Sequence, residues 1–211
     1  MQKSKIEWCD YTVNPVKGLC PMACDYCYAR RMYKRFKWNP EIRFDQTVLF
    51  GLPTKSSRVF VGSTIELFGD WVKQEWLETI FTICRQRVEH IFIFLTKQPQ
   101  NLTQFSPFPS NCQVGATATN QEQYNSALVG LAVIEAKVKY ISFEPLLEEI
   151  SFHPPYGLEG IDWVILGSQT KPEKQPPIGA VNTILNVADI AKVPVFMKNN
   201  LAWQYHRQEL P

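Results

Sequence analysis

The stretch 58-RVFVGSTIELFGDWVKQEWLETIFTICRQRVEHIFIFLTK-97 has two short apolar runs on either side of an amphipathic segment. The runs at 58–62 and 90–95 are rich in β-branched and aromatic residues, as strands covered on both faces are. Between them, apolar residues recur at the spacing of one helix face, at Trp76, Leu77, Ile80, Phe81, Cys84 and Val88. Asp70 is expected to cap this helix. The stretch therefore predicts one strand–helix–strand unit of a parallel sheet.

The same alternation recurs along the rest of the chain. Apolar runs lie at 12–16, 113–116, 139–143, 162–167 and 193–197, and helical patterns lie at 121–136 and 178–191. This series predicts an α/β fold, a full or partial parallel (βα) barrel of about six to seven strands. The barrel is expected to form a single domain over residues 1–211. A doubly wound sheet has the same alternation and stays open as the alternative.

The composition is that of a folded, reduced protein. Hydrophobic residues make up 45% of the 211 residues and charged residues 20%, and the net charge of +2 neither requires nor excludes nucleic acid. No run of 18 apolar residues exists, and the start lacks the apolar core of a secretory signal, so we expect no membrane contact and a cytoplasmic location. Cys84 and Cys112 are expected in the core. His90, His153 and His206 show no paired spacing and are expected to be structural or surface residues.

Three cysteines lie within eight residues at Cys20, Cys24 and Cys27, in the spacing C-x3-C-x2-C. Three thiolates on one short loop form a soft, anionic ligand set for a metal or an iron–sulfur cluster. A [4Fe-4S] cluster has four irons, so three cysteines leave one iron open for chemistry. The alternative is a binding module with a structural zinc site, for which Cys9 is the candidate fourth ligand.

Polar side chains cluster directly after the predicted strands. They include Ser63, Thr64, Glu66, Thr96, Lys97, Thr117, Thr119, Glu144, Ser168, Gln169, Lys198 and Asn199. The carboxyl ends of parallel strands point their loops at the ligand, so these residues and the cysteine loop are expected to share one rim. A second explanation is that loops are polar in any protein.

Lys97, Glu144 and Lys198 are the candidate catalytic residues on this rim. Lys97 is suited to bind a cofactor carboxylate or an anionic substrate, or to lie at the surface with its ammonium in water. A carboxylate at Glu144 is costly unless it is paired, and either lysine is a suitable partner. Glu144 is then available for substrate binding or proton transfer. A barrel lyase that uses Lys97 or Lys198 as a Schiff base is a further alternative.

The cysteine loop, with Tyr26 directly before Cys27, resembles the radical S-adenosylmethionine superfamily. The resemblance implies a βα barrel in which Cys20, Cys24 and Cys27 hold a [4Fe-4S] cluster. It implies that S-adenosylmethionine chelates the fourth iron and is cleaved by one electron to a 5′-deoxyadenosyl radical, which abstracts a hydrogen atom from a substrate. An electron donor of the flavodoxin or ferredoxin type is then expected as a partner.

A second resemblance covers nearly the whole chain. The stretches 6–8, 14–15, 27–29, 59–63, 95–97, 144–147 and 163–167 look, in order, like an uncharacterised radical-SAM-like family found in phages and bacteria. The likeness names no substrate. Cys9 stands where that family is expected to have threonine, and Ser168 where it is expected to have glycine.

The superfamily resemblance also implies roles for single residues. Tyr26 is expected to pack near the adenine or to shield the cluster from water. The turn formed by Gly62, Ser63, Thr64 and Glu66 stands where the superfamily has a Gly-Gly-Glu type of turn, which holds the cofactor ammonium. Thr117 and Thr119 are expected to reach the ribose hydroxyls.

The segment after the cysteines is strongly basic. Its cations Arg30, Arg31, Lys34, Arg35 and Lys37 alternate with the aromatics Tyr28, Tyr33, Phe36 and Trp38. Such a mixture suits contact with nucleic-acid phosphates and stacking on bases. The competing interpretation is a solvated helix face whose aromatic rings are turned inward.

Overall fold

The computed structural model describes residues 2–152 and 157–211. The strands of the described residues are β1 (Gln2–Lys3), β2 (Tyr11–Val13), β3 (Val16–Lys17), β4 (Arg43–Phe44), β5 (Arg58–Val61), β6 (Ile91–Thr96), β7 (Cys112–Thr117), β8 (Val138–Phe143), β9 (Trp163–Leu166), β10 (Gln169–Thr170), β11 (Glu173–Lys174) and β12 (Val195–Met197). The helices are α1 (Tyr28–Phe36), α2 (Gln74–Gln86), α3 (Gln121–Ala132) and α4 (Ile178–Ala191), with 3-10 helices at Gln46–Gly51 and Pro99–Phe105.

The main sheet has eight strands in the order β1-β2-β5-β6-β7-β8-β9-β12. All neighbours from β2 to β12 run parallel, and only β1 pairs antiparallel, with β2. Each parallel strand lies beside the next one in the chain, so the order never reverses. The order contradicts the doubly wound alternative, which needs a reversal at a switch point.

The sheet is curled into a half-barrel with its helices on the outside. Side chains of α2, α3 and α4 pack with the outward residues of the strands in the larger apolar cluster. In the smaller cluster, the Trp8 ring lies 4.8 Å from the ring of Phe60 on β5 and 6.2 Å from that of Trp163 on β9, measured between centroids. β6, β7 and β8 lie between these two strands, so one ring can reach both only if the sheet is curved. The predicted partial parallel barrel is confirmed.

The inside of the half-barrel has an aromatic floor. It consists of Trp8, Phe60, Ile93, Tyr140, Trp163, Ile165 and Phe196, together with Cys9. Tyr140 is fully buried, its ring centroid lies 5.3 Å from that of Trp163, and its hydroxyl donates to the Phe94 carbonyl at 2.9 Å. Gly115 of β7 makes room for this ring, since a Cβ there would lie 2.4 Å from it. The floor fills the amino-terminal part of the half-barrel.

The ends of the chain lie at the two edges of the sheet, with β1 beside β2 at one edge and the C-terminal tail beside β12 at the other. The Glu7 carboxylate accepts from the Asn199 backbone N–H at 2.8 Å, which ties the N-terminal loop to the end of β12. Gln208 forms an antiparallel bridge with Phe196, so the C-terminal tail pairs with the outer edge of β12. The half-barrel therefore does not expose a long unpaired strand edge in the described residues.

Some local predictions were wrong. Asp70 does not cap α2, because the helix begins later, with Lys73 at the N-cap and no side-chain hydrogen bond there. Cys84 and Cys112 lie in the core as predicted. His90 is fully buried and His206 is exposed, as expected, whereas His153 lies outside the described residues.

Candidate functional site

A cavity of about 520 Å³ opens at the carboxyl ends of the parallel strands, above the aromatic floor. Nine of the twelve polar residues predicted to share a rim border it, namely Ser63, Thr64, Glu66, Lys97, Thr117, Glu144, Ser168, Gln169 and Lys198. Gly62 and the cysteine-loop residues Cys20, Cys24, Tyr26 and Cys27 border it as well. This volume is in the usual range of small-molecule sites. The structure therefore brings these residues to one rim, whereas the predicted rim residues Thr96, Thr119 and Asn199 do not line this cavity.

The two-residue period of a strand explains which side chains enter the cavity. Phe196 lies in the floor, and Lys198, two residues on, borders the cavity. Tyr140 of β8 and Glu144, the residue directly after β8, are related in the same way at a spacing of four residues. Since alternate residues of a strand share a face, the inward face is apolar at the strand starts and polar where the strands end.

The cysteine loop is held in place from both ends. At its start, the Gly18 N–H donates to the Tyr33 hydroxyl of α1 at 2.8 Å. At its end, Cys27 is the N-cap of α1, and its Sγ accepts from the Arg30 N–H at 3.4 Å. Ala23 lies between two of the cysteines in a left-handed conformation with φ of 50°, which is uncommon for a non-glycine residue. The helix cap and this turn orient the loop before any ligand binds.

The three cysteines fit an iron–sulfur ligand set by their chemistry. They are free and half-buried, and all three border the cavity. The Cys20 Sγ accepts from the Glu66 N–H at 3.4 Å, a contact that favours the thiolate, while burial raises the pKa of this thiol. Metal binding must therefore displace the Cys20 proton.

A mononuclear zinc site is not assembled in the described residues. Over 2–152 and 157–211, no group of three or more His, Cys, Asp or Glu side chains, Cys20, Cys24 and Cys27 included, is close enough to hold a single metal ion. Cys9 is buried in the floor and its Sγ donates to the Ser4 hydroxyl at 3.2 Å. It does not border the cavity with the other three cysteines.

Glu66 borders the cavity, but its carboxylate is used within the protein. One oxygen accepts from the Thr96 hydroxyl at 2.7 Å and from the Phe68 N–H at 3.0 Å, and the other accepts from the Lys97 N–H at 2.7 Å. These bonds attach the loop after β5 to the end of β6. Glu66 therefore shapes the site, and its expected direct contact with a cofactor remains a prediction.

The turn before Glu66 needs its glycine. Gly62 has φ of +80°, and a Cβ there would lie 2.4 Å from Leu67. The following Ser63 is fixed by two contacts, since its hydroxyl donates to Asn14 at 3.2 Å and its carbonyl accepts from the Tyr28 hydroxyl at 2.8 Å. Together with Thr64, these residues present polar groups on one wall of the cavity.

Glu144 and Lys198 form an ion pair at the opposite wall. Both side chains are largely shielded from water, with exposed fractions of 25% and 14%. Gly167 lies between their strands, and a Cβ there would be 3.0 Å from Glu144 Cγ and 3.1 Å from Lys198 Cδ. Of the two partners that the sequence offered for Glu144, the structure selects Lys198. The sequence analysis did not predict that Gly167 leaves the space in which these two side chains meet.

Lys97 has a different environment. Its Nζ donates to the Thr117 hydroxyl at 3.0 Å and lies 5.8 Å from the centroid of the Tyr26 ring. Among the described residues it forms no ion pair. The cavity thus contains a half-buried ammonium with no protein carboxylate against it, which favours an anionic ligand group.

Tyr26 lies beside Lys97, and Thr119 lies two residues after Thr117, the last residue of β7. Burial raises the pKa of Tyr26, and the neighbouring thiol of Cys24 acts in the same direction, so the phenol stays protonated. The Thr119 hydroxyl donates to Gln123 at 2.9 Å and is buried. Thr119 therefore helps to start α3, and the expected contact with a ribose is not supported by its position outside the cavity lining.

Two cations of the basic segment bind backbone carbonyls of the protein, and the others are exposed to solvent. Arg30 donates to the Cys20 carbonyl at 2.7 Å, and Arg31 donates to the Lys171 carbonyl at 2.6 Å. Lys34 and Arg35 are exposed. Phe36, Trp38 and Tyr28 are 52%, 42% and 45% exposed, so the interpretation that the aromatic rings turn inward is wrong for these three.

The hairpin β10–β11 was not predicted. Ser168, Gln169 and Thr170 border the cavity, and Arg31 connects this hairpin to α1 across it. Two-residue strands of polar residues have no apolar run, so periodicity could not reveal them. Trp8 was also missed as part of the cavity lining.

Fold and site together define an α/β half-barrel with a three-cysteine cavity at the carboxyl ends of its strands. The chain belongs to a family described as a protein of unknown function (DUF5131), whose model matches residues 3–209. Comparison with curated proteins and with solved structures found no match. In the described residues, no helix combines the length and the apolar character that crossing a membrane requires.

Proposed function

We propose that this protein is a radical S-adenosylmethionine enzyme in which Cys20, Cys24 and Cys27 hold a [4Fe-4S] cluster. The observation that supports this most is that three free cysteines border the same 520 Å³ cavity as the polar residues of six strand ends. When bound and reduced, such a cluster supplies the electron that cleaves S-adenosylmethionine to a 5′-deoxyadenosyl radical able to abstract a hydrogen atom.

The cavity walls match the charges of the proposed cofactor. The free ammonium of Lys97 is placed to receive a carboxylate, and the polar turn at Ser63 and Thr64 offers oxygen atoms to an ammonium. Tyr26 offers an aromatic ring beside Lys97, suited to packing against an adenine. Thr117, whose hydroxyl accepts from Lys97, adds a further polar group to this wall.

The Glu144–Lys198 pair is assigned to the substrate. Lys198 pairs with the Glu144 carboxylate at a partly shielded wall of the cavity, which positions the Glu144 oxygens to accept a hydrogen bond or a proton from a bound group. A paired ammonium is a poor amine nucleophile, which makes Lys198 unsuited to Schiff-base chemistry. Lys97 is the lysine that would serve the alternative function of a Schiff-base lyase, since it forms no ion pair in the described residues.

The aromatic floor is suited to exclude water from the cavity, and the cysteine loop is suited to receive an electron donor. Trp8, Phe60 and Leu95 exclude water from the bottom of the cavity. Pro21, Ala23 and Asp25 are exposed on the outer side of the cysteine loop. An electron donor of the flavodoxin or ferredoxin type can therefore approach this loop from outside, and free thiols suit the reducing cytoplasm.

The test is anaerobic reconstitution of the full chain with iron and sulfide. We expect about four irons per chain and a brown colour with broad absorbance at about 400 nm, from thiolate-to-iron charge transfer. A colourless protein that binds one zinc ion with tetrahedral sulfur ligands would contradict the proposal. Trapping of a carbonyl substrate on Lys97 by borohydride would instead support the lyase.

A further inference from the structure

The segment 34–38, with the sequence KRFKW, forms an exposed surface at the end of α1. All five of its residues are exposed. The rings of Phe36 and Trp38 are stacked, with centroids 5.5 Å apart and planes at 21°, and the guanidinium carbon of Arg35 lies 5.3 Å from the Phe36 centroid. The Tyr33 ring packs edge-to-face against the Trp38 ring, with centroids 5.3 Å apart. Two large rings are thus held in a fixed arrangement and left open to solvent, which is unusual for apolar groups without a partner.

The charge around these rings has one sign. Residues 28–38 contain five cations and no Asp or Glu, although the whole chain has a net charge of only +2. Among the described residues, Lys34, Arg35 and Lys37 form no ion pair. A solvated helix face typically mixes the two signs of charge, whereas this one concentrates positive charge beside exposed rings. The 34–38 surface therefore favours a polyanion with flat groups.

We propose that the 34–38 surface binds single-stranded nucleic acid and that the bound strand is the substrate delivered to the cavity. The delivery rests on the proposed function, whereas the binding does not. Lys34, Arg35 and Lys37 neutralise phosphates, and Phe36 and Trp38 stack against bases. A duplex keeps its base faces covered, so it can use only the cations. The chemistry is common to single-stranded DNA and RNA.

The helix connects this surface to the cavity. Tyr28, the first residue of α1, borders the cavity with its ring 45% exposed, and Phe36 is the last residue of the same helix. At about 1.5 Å per residue, the two are separated by about 12 Å along the helix. This is the length of three to four nucleotides at the stacked spacing of about 3.4 Å that one strand of a duplex has. Arg31 is one turn from Tyr28. A strand stacked on the 34–38 surface thus has a nearby nucleotide at the cavity mouth.

The test uses fluorescence anisotropy of labelled oligo-dT and oligo-U with the anaerobically purified full chain and no S-adenosylmethionine. We expect binding of at least one of them. Phe36→Ala with Trp38→Ala should weaken it about tenfold or more, since each lost stacking contact has a large effect. Lys34→Gln with Arg35→Gln should lower the slope of log K against log salt by about 1.4, from about 0.7 per phosphate contact on a single strand.

Two matched controls isolate the surface. Lys55→Gln with Lys137→Gln removes the same charge from exposed lysines that precede β5 and β8, at the opposite end of the half-barrel. Tyr205→Ala removes a ring that is 75% exposed in the C-terminal tail. Both controls should bind as the wild type does.

Several results would overturn the inference. They are equal losses in the control variants, equal affinity of a duplex with no effect of the ring variants, or binding only to vesicles of phosphatidylserine. The inference and the proposed function fail separately. If an iron-loaded chain cleaves S-adenosylmethionine but binds no nucleic acid, only the inference about the 34–38 surface is overturned. If the chain binds a single strand but holds no cluster, the proposed function is overturned, and with it the delivery of the strand to the cavity as a substrate.

Discussion

Cys24→Ala is expected to abolish both iron binding and the release of 5′-deoxyadenosine. Two thiolates hold a cluster much more weakly than three, so reconstituted iron should fall below about a tenth of the wild-type content. The fold should remain, because Cys24 is half-buried on a loop between exposed neighbours. A change of Tm within about 2 °C is expected for such a position. Iron analysis, visible absorbance and product detection by mass spectrometry measure these effects.

Cys9→Ala is the matched control. Cys9 lies in the aromatic floor, away from the cavity lining, so this variant should keep its iron and its product. The pair of variants also separates the cluster from a four-cysteine zinc site, in which both substitutions would release metal. Full iron content in Cys24→Ala would contradict the assignment of the three cysteines.

Gly115→Ala is expected to lower Tm by about 5–10 °C, as forced overpacking of a core does in a chain of this size. A Cβ at Gly115 would lie 2.4 Å from the Tyr140 ring, which is fully buried and cannot move without breaking its bond to the Phe94 carbonyl. The affected ring is part of the floor below the cavity. Thermal unfolding followed by circular dichroism measures the effect.

Gly179→Ala serves as the control for Gly115→Ala. A Cβ at Gly179 meets only the end of the Glu149 side chain at 3.0 Å, and alanine favours the helix α4 there. Its Tm should equal or slightly exceed that of the wild type. In a double-mutant cycle, Tyr140→Ala should remove most of the cost of Gly115→Ala, and strict additivity would show that the two residues do not compete for space.

The strands and most of the site could be predicted from local sequence because their signals are local. A buried parallel strand is a continuous apolar run. The polar residue that borders the cavity comes directly after the run, as Lys97 does after β6 and Glu144 after β8. Half-barrel and doubly wound sheets share that signal. The observed strand order, with all helices outside, distinguishes them, and both are properties of packing rather than of any single run.

The parts that could not be predicted depend on contacts between distant residues. The hydrogen bonds of Glu66 are an example, since they go to Thr96 and Lys97, about thirty positions away. Gly167 permits the approach of Glu144 and Lys198 from two other strands. The exposure of Phe36 and Trp38 depends on how little of α1 is packed, since Ala29 is its only buried residue. Helical periodicity shows which residues share a face, and it does not show whether that face is covered.

The most direct measurement of the central claim is the fate of S-adenosylmethionine with the reconstituted, iron-loaded full chain. With dithionite as reductant under anaerobic conditions, we predict that 5′-deoxyadenosine is released from the wild type and not from the iron-free protein. Together with a loss of product in Cys24→Ala, this result would assign the reaction to the cavity bordered by Cys20, Cys24 and Cys27. A chain with a complete iron complement that releases no 5′-deoxyadenosine would contradict the account.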